Sequence, residues 1–482
     1  MNNTIQFILD DKIVEIDFSK ETNLKPTTTV LNYLRNLNNH KGVKEGCAEG
    51  DCGACTIVLA ELNKENKLIY KAVDSCLVFL PMIHGKQLIT VENLSDKKNG
   101  ETVLHPVQKS MVNFFGSQCG YCTPGFIMSL FALYKSHINP GREIIEDALT
   151  GNLCRCTGYL PILEAAQSAC QNISEDKFSA NENDIIYKLK SISKNKTSIL
   201  LEKEKQIYFH PQSLDDALML KKHYKNAIVT NGATDIALRQ TKKNEPLFEI
   251  LDISGIREIK NISEREDGYF IGAGVTLESL KQFSESKLPA LFSILKVFGS
   301  LQIRNVATIG GNIGSASPIG DLLPVLFVYN AEVIIQSMLT KRDVEINNFI
   351  KGYRKTDIQA DELITSVFIP KPENNSIIKS YKISKRKDLD ISTVSLAVKL
   401  ILEKKIVKDI ILAYGGMAEI TKRAENSESY LKNKIWNREN VEEAMKIIYD
   451  EFTPLSDARS GSEFRRITAK NLLLKFFIEG QN

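Results

Sequence analysis

At 482 residues and 54.1 kDa the chain is too long for one hydrophobic core, and about three or four domains are expected. Its 62 Lys and Arg against 59 Asp and Glu leave a formal net charge of +3, which removes the electrostatic reason to expect nucleic acid or an anionic membrane as partner. A composition that is 43% hydrophobic and 25% charged is that of a soluble globular protein, and no window approaches the roughly eighteen apolar residues of a membrane span.

The first segment, MNNTIQFILDDKIVEIDF, has no basic region before an apolar run, so a cytoplasmic protein is expected. It alternates instead. Ile5, Phe7 and Leu9, a turn at Asp10-Asp11-Lys12, then Val14, Ile16 and Phe18 predict a hairpin. Thr29 is a candidate N-cap for a helix with Val30, Tyr33, Leu34 and Leu37 at helical spacing.

The stretch KEGCAEGDCGACT follows, with Cys47, Cys52 and Cys55 in C-x4-C-x2-C spacing and Cys76 completing the set from a later strand. Three ligands on one Gly-rich loop and a fourth arriving alone match the wrapping of a plant-type [2Fe-2S] cluster. Structural zinc also takes four cysteines, but usually from two short C-x2-C turns, so zinc stays as the alternative. Without a secretory signal, disulfides are not expected. Strands at 56–62 and near 69–73 complete a small ferredoxin-like α+β domain ending near residue 92.

From about 93 the period becomes helical. Pro106 opens a helix with Val107, Met111 and Phe114 on one face, and Gly116 closes it. The loop SQCGYCTPG carries Cys119 and Cys122, and Pro124 starts an apolar helix through Tyr134. A short helix after Gly141 runs into GNLCRCTGY, with Cys154 and Cys156, and a last helix covers 160–169. This second set is C-x2-C, then C-x-C, each pair at a helix end of a four-helix unit. Its spacing alone fits zinc as well as iron; its position after a plant-type loop favours a cluster, because one-electron carriers are useful in chains. Of the nine cysteines only Cys170 is left over, and it reads as a small buried apolar residue.

Residues 171–204 are polar and lysine-rich and predict an exposed linker with one frayed helix. Beyond it, AIVTNGATDIALRQ, IGAGVTLESL and RNVATIGGNIGSASPIGDLLPVLF alternate strand, Gly turn and helix start. Such turns can present backbone N–H groups to an anion, but taken singly each reads first as plain turn chemistry. No G-x-G-x-x-G follows a strand and no G-x-x-x-x-G-K-[ST] occurs, which argues against a Rossmann dinucleotide fold and excludes a P-loop nucleotidase. Strands and then amphipathic helices fill the chain from about 376, and Lys385, Arg386 and Lys387 read as a solvated turn. None of the six histidines sits in H-E-x-x-H or beside a nucleophile motif, so no hydrolase is indicated.

Taken together, KEGCAEGDCGACT with Cys76, SQCGYCTPGF with GNLCRCTGY, TIGGNI…SPIGDLLP and YGGMAEITKRA closely resemble the iron–sulfur and flavin portions of xanthine dehydrogenases, within the molybdenum hydroxylase family. The resemblance covers nearly the whole chain except 171–204. It implies an α+β multidomain fold: a β-grasp plant-type ferredoxin domain at 1–92 and a four-helix [2Fe-2S] domain at 93–170. The linker at 171–204 would lead into a two-part FAD-binding domain at 205–373, similar to vanillyl-alcohol oxidase, and a C-terminal α+β cap domain at 376–482. Cys47, Cys52, Cys55 and Cys76 would ligate one [2Fe-2S] cluster, and Cys119, Cys122, Cys154 and Cys156 the other, with Gln118 where family members touch the pterin. Val229, Thr230, Asn231, Gly232, Ala233, Thr234, Asp235 and Ile236 match one FAD pyrophosphate loop. Thr308, Ile309, Gly310, Gly311 and Asn312 match the other, with Phe298, Asp321, Ile364 and Lys382 at further flavin positions. Residues 383–391 resemble the segment where NAD approaches.

One departure is that many relatives have two glycines before Thr-Asp, where this chain has Asn231-Gly232-Ala233, so contacts at Asn231 and Ala233 transfer least directly. Because the sequence stops after the flavin portion, it is similar to the small subunit of a split bacterial enzyme. The expected partner is a molybdopterin-binding large subunit, in a heterotetramer or larger assembly. The implied function is to pass electrons from that partner, which would hydroxylate xanthine or hypoxanthine, through two [2Fe-2S] clusters to FAD and on to NAD. A related hydroxylase of aldehydes, nicotinate or another purine is the alternative, and a zinc-stabilised scaffold a further one.

Overall fold

The computed structural model describes residues 3–171, 173–194 and 197–480. They divide into two compact units. The first holds the described residues up to 217 with 226–255 and 300–307, and the second holds 218–225, 256–299 and the described residues from 308 onward.

The first unit is built on a five-stranded sheet in the order Lys12–Asp17, Thr4–Leu9, Gln87–Ile89, Thr56–Leu62, Leu68–Asp74. Thr4–Leu9 pairs antiparallel with Lys12–Asp17 and parallel with Gln87–Ile89, the mixed pattern of a β-grasp sheet. Asp10 and Asp11 both take positive φ, so the predicted hairpin turns through two left-handed residues, as a tight right-twisted hairpin requires. Because side chains alternate along a strand, each strand feeds two cores. Ile5, Phe7, Ile57, Leu59 and Val73 pack with the helix Val30–Asn36, whose N-cap Thr29 accepts from the Asn32 N–H. Val58, Ala60, Ala72 and Ile89 pack on the opposite side with the helices Pro106–Asn113, Thr123–Ser136, Arg142–Leu149 and Leu160–Gln171. Cys170 is buried in that second core, as expected of a small apolar side chain.

The described residues of 171–204 do not behave as an exposed linker. Phe178 is buried in the helical core, and the helix Glu182–Ser193 buries Ile185, Leu189 and Ile192 against Ile8. Ile8 is the alternate residue of the first strand, on the face away from Phe7, so without this helix an apolar position of the sheet would meet water. Ile185, Leu189 and Ile192 recur at helical spacing among lysines, a sparse stripe that composition averages away. Residues 199–203 are also a strand, the antiparallel edge of a four-stranded sheet ordered Ile228–Thr230, Glu249–Asp252, Gln206–His210, Ile199–Lys203. The other three strands run parallel.

In the second unit a five-stranded antiparallel sheet runs Ile262–Glu264, Gly268–Gly272, Leu363–Pro370, Glu332–Gln336, Lys341–Glu345. The helix Leu322–Val328 has every residue buried. The C-terminal part is an antiparallel sheet of Ser376–Ile383, Val394–Glu403, Ile406–Gly415 and Lys422–Arg423. It packs with the helices Glu425–Leu431, Arg438–Glu451 and Ser462–Glu479 around Val398, Leu412, Ala444, Leu473 and Phe477. Lys385, Arg386 and Lys387 are exposed, as a solvated turn should be. Among the described residues no helix is long and apolar enough to cross a membrane.

The packed helix gives a stability prediction. Leu189→Ala should lower the unfolding free energy by about 2–5 kcal/mol in denaturant titration, the cost of a cavity under a buried leucine. Tyr187→Ala, which removes an exposed ring from the same helix, should cost far less.

Candidate functional site

The eight cysteines singled out by spacing form two groups in the first unit. In the first loop Cys55 Sγ lies 3.4 Å from Cys76 Sγ, and the Cys47 and Cys52 thiols hydrogen-bond to each other. The loop closes through left-handed residues at Ala48, Gly50 and Gly53. These turn the N–H groups of Glu49 and Asp51 onto Cys47 Sγ, at 3.4 and 3.3 Å. The Cys52 thiol and these N–H donors outweigh burial and draw the Cys47 thiol down to about 5, so a thiolate is stabilised there. Cys55 is pushed up by its bond with Cys76, by burial and by the neighbouring Asp74 carboxylate. The helix Ile236–Thr241 and its C-cap clamp the same loop: Thr241 Oγ1 donates to the Ala48 carbonyl at 2.8 Å and Lys242 Nζ to that of Cys47 at 3.0 Å.

The second group repeats the pairing. Cys122 and Cys154 hydrogen-bond through their thiols, as do Cys119 and Cys156. Cys154 Sγ accepts from the Thr157 hydroxyl at 3.2 Å and from the N–H groups of Cys156 and Thr157 at 3.4 and 3.5 Å. Burial raises the Cys154 thiol, and these donors outweigh it and bring it below its usual range. Cys122 is pushed up to about 12 by burial and by Cys154. Cys119, Cys156 and Gln118 are exposed, with Val112 and Phe115 as exposed apolar neighbours in sequence.

Both groups are therefore sets of thiol pairs with N–H donors aimed at sulfur. A mononuclear zinc site gathers four ligands on one centre, whereas a binuclear iron–sulfide group takes two thiolates at each iron and accepts N–H bonds at its sulfurs. The donor sets fit the binuclear group.

The remaining predicted residues fall in both units. In the first, the strand Ile228–Thr230 leads into Asn231, Gly232, Ala233, Thr234 and Asp235 before the helix Ile236–Thr241. Gly232 has φ +88°, and a Cβ there would stand 1.8 Å from the Val306 carbonyl oxygen, so the chain at this point admits only glycine. Ala233 also takes positive φ, 57°, at the departure from two glycines; its methyl is buried in the apolar core with Ile250, which offsets the left-handed cost. Among the described residues the N–H groups of Gly232, Ala233 and Thr234 donate to no protein acceptor, and Thr230 Oγ1 is buried without a partner. Such a row of free donors suits a phosphate.

In the second unit Thr308 caps the helix Ile309–Ser315, accepting from the Gly311 N–H at 3.1 Å. The N–H groups of Ile309 and Gly310 donate to the carbonyls of Val275 and Ala273, and that of Asn312 to Thr308. This Gly turn is therefore plain turn chemistry at its backbone, and Asn312 Oδ1, buried without a protein partner, is what it leaves available. Ile364 lies beside this helix, half-buried, 3.5 Å from where a Cβ on Gly314 would stand. Lys382 Nζ forms a buried ion pair with Asp321 Oδ2 at 2.8 Å and donates to the Val297 carbonyl at 2.9 Å, next to the half-buried Phe298. The sequence reading did not find Ser392, whose hydroxyl donates to the other Asp321 oxygen. Nor did it find Arg465, which holds the carbonyls of Thr393 and Gly416. Both are ordinary polar residues outside any motif. Within 383–391, Leu389 takes positive φ and Arg386 pairs with Asp390.

Comparison with known proteins gives four family profiles along the chain. Residues 14–79 match a 2Fe-2S iron-sulfur cluster binding domain and 90–167 a [2Fe-2S] binding domain. Residues 201–372 match the FAD binding domain in molybdopterin dehydrogenase and 379–479 the CO dehydrogenase flavoprotein C-terminal domain. Xanthine dehydrogenase 1 of Arabidopsis thaliana is 32% identical over 93% of this chain and 38% of its own length. The xanthine dehydrogenase/oxidase of Gallus gallus is 30% identical over 98% of this chain and 39% of its own. The chain thus spans about two fifths of these relatives. Among solved structures, the carbon monoxide dehydrogenase of Hydrogenophaga pseudoflava shares the fold at a TM-score of 0.54 and 22% identity, over 57% of this chain and 96% of that one. The quinoline 2-oxidoreductase of Pseudomonas putida 86 does so at 0.53 and 21%, over 57% of this chain and 96% of that one.

The turn after Thr230 can be tested through its glycine. Gly232→Ala must displace the Val306 carbonyl and should destabilise the protein by at least about 2 kcal/mol while lowering the flavin retained on purification. Ala233→Gly, which trades left-handed strain against a buried methyl and chain entropy, should change stability by less than about 1 kcal/mol.

Proposed function

Since this chain belongs to the iron–sulfur and flavin portion of the molybdenum hydroxylase family, we propose that it is the electron-transfer part of a xanthine dehydrogenase. It would take electrons from a molybdopterin-binding partner that hydroxylates xanthine or hypoxanthine, and deliver them to NAD. The observation that carries this reading is the arrangement of eight thiols as pairs within two N–H-lined loops. The xanthine dehydrogenases similar over nearly the whole chain favour the purine substrate. Aldehydes, nicotinate or another purine are the second reading, favoured by fold neighbours of other substrate classes, because the substrate would be read in the partner.

In this reading the paired thiols of Cys47 with Cys52 and Cys55 with Cys76 would hold one iron–sulfur group, and those of Cys119 with Cys156 and Cys122 with Cys154 the other in the helical domain. Val229, Thr230, Asn231, Gly232, Ala233, Thr234, Asp235 and Ile236 would hold FAD, together with Phe298, Thr308, Ile309, Gly310, Gly311, Asn312, Asp321, Ile364 and Lys382. The bound groups supply one-electron redox at iron and, at the flavin, the change from single electrons to the pair that NAD requires. The chain's own residues set the conditions. Glu49, Asp51, Cys156 and Thr157 donate to sulfur and stabilise its negative charge. Asp321 keeps the Lys382 ammonium in place from below 3 Å, itself held by Ser392, so a fixed positive charge stands among the proposed flavin contacts.

The exposed Cys119 gives the test in the purified complex. Cys119→Ser should abolish flavin reduction driven by the heterocyclic substrate while leaving flavin reduction by NADH intact. Substrate-driven reduction at the normal rate would overturn the proposed passage of electrons through the Cys119 group to the flavin.

A further inference from the structure

The two cysteine loops touch through their backbones. The Leu153 N–H donates to the Cys52 carbonyl at 3.0 Å. Leu153 precedes Cys154, so a cysteine of one group and a cysteine of the other are joined by covalent bonds and a single hydrogen bond. Three glycines permit this approach. A Cβ on Gly53 would stand 2.3 Å from the Gly151 carbonyl oxygen, and one on Gly125 would stand 2.1 Å from that of Gly53.

Beside this junction lies a buried polar chain that the proposed ligand sets do not use, with Thr56 and Asn152 from the two cysteine motifs and Ser129 and Gln302 from outside them. Asn152 Nδ2 donates to the Gly53 carbonyl at 3.1 Å and to Thr56 Oγ1 at 3.2 Å. Asn152 Oδ1 accepts from Ser129 Oγ at 2.6 Å and from Gln302 Nε2 at 3.0 Å, and Gln302 Nε2 also donates to Ser129 Oγ at 2.9 Å. Ser129, Asn152 and Gln302 are 1%, 2% and 0% exposed. Gln302 comes from far along the chain, on the short helix Leu301–Arg304. That segment is anchored on both iron–sulfur domains: Arg304 grips Asp147 at 2.7 and 2.8 Å, and Asn305 Nδ2 donates to the Ala72 carbonyl at 2.9 Å. Among the described residues Gln302 Oε1 is buried with no partner, and it lies 2.2 Å from where a Cβ on Gly151 would be. A buried amide left half-satisfied is disfavoured unless its position is required.

We propose that Gln302 is a positioning residue for electron exchange between the two iron–sulfur groups. It orients the Asn152 amide, which grips the Gly53 carbonyl and so fixes the Cys52–Leu153 hydrogen bond as the junction of the shortest bonded route. The inference rests on the cluster assignment above. Each passage moves one electron: one iron pair is oxidised by a single unit as the other is reduced by the same, and no bond or proton changes place. The polar chain acts on the junction and not on the ligands, so losing it should alter the coupling between the groups more than the character of either one.

The test uses the anaerobically purified holoenzyme carrying Gln302→Met, which keeps length and volume and removes the amide. With both iron pairs reduced by dithionite, electron paramagnetic resonance should show each group's own g-values retained and the splitting from their mutual interaction changed. Freeze-quenched transfer between the groups should slow several-fold. Unchanged splitting and rate in an iron-replete variant overturn the proposal. If Gln302→Met does not load iron, Ser129→Ala, which deletes only the hydroxyl shared by Gln302 and Asn152, decides it by the same two readouts. A wild-type protein without iron and sulfide would instead overturn the cluster assignment, a separate outcome.

Discussion

Negative charge on sulfur inside a protein is costly unless donors or a metal meet it, and both cysteine loops are shaped by that demand. Left-handed residues at Ala48, Gly50 and Gly53 turn N–H groups toward Cys47. In the second loop a threonine hydroxyl and two N–H groups do the same for Cys154. In the Cys47–Cys52 and Cys122–Cys154 pairs one partner is drawn toward thiolate and the other held as a donor. The rest of the first unit keeps these loops in register. A sheet buried on both faces ties the ferredoxin-like core to the four helices, and the contact at Gly53, Gly125 and Gly151 leaves no room for side chains between the loops.

The flavin region divides its labour differently from what a row of glycine turns suggests. At Gly310 the missing side chain allows close approach to Ala273, and the backbone donors there are consumed within the protein. At Gly232 the positive φ leaves a run of N–H groups free. Two turns of similar sequence thus carry opposite consequences, one for packing and one for anion binding. Lys382 is a third kind of feature, an ammonium buried to 3% exposure and held in place by its ion pair with Asp321.

Much of this was legible in the residues. Ile5, Phe7 and Leu9 specify a half-buried strand by alternation, and the cysteine spacings specify which thiols share a loop, because both signals are local. The helix Glu182–Ser193 was not legible, since its apolar stripe acquires meaning only from Ile8, far away in sequence. Gln302, Ser392 and Arg465 were invisible for the same reason: each is a common polar residue whose role comes from a partner in another segment. The pairing of thiols was likewise outside the reach of spacing, which counts residues between sulfurs but not the direction in which each points.

The central claim is that eight thiols of this chain hold two binuclear iron–sulfide groups, and X-ray absorption on anaerobically isolated protein tests it most directly. The account predicts an iron edge with sulfur neighbours and a second iron in the next shell. A zinc edge with four sulfur neighbours and no metal beyond them would contradict it.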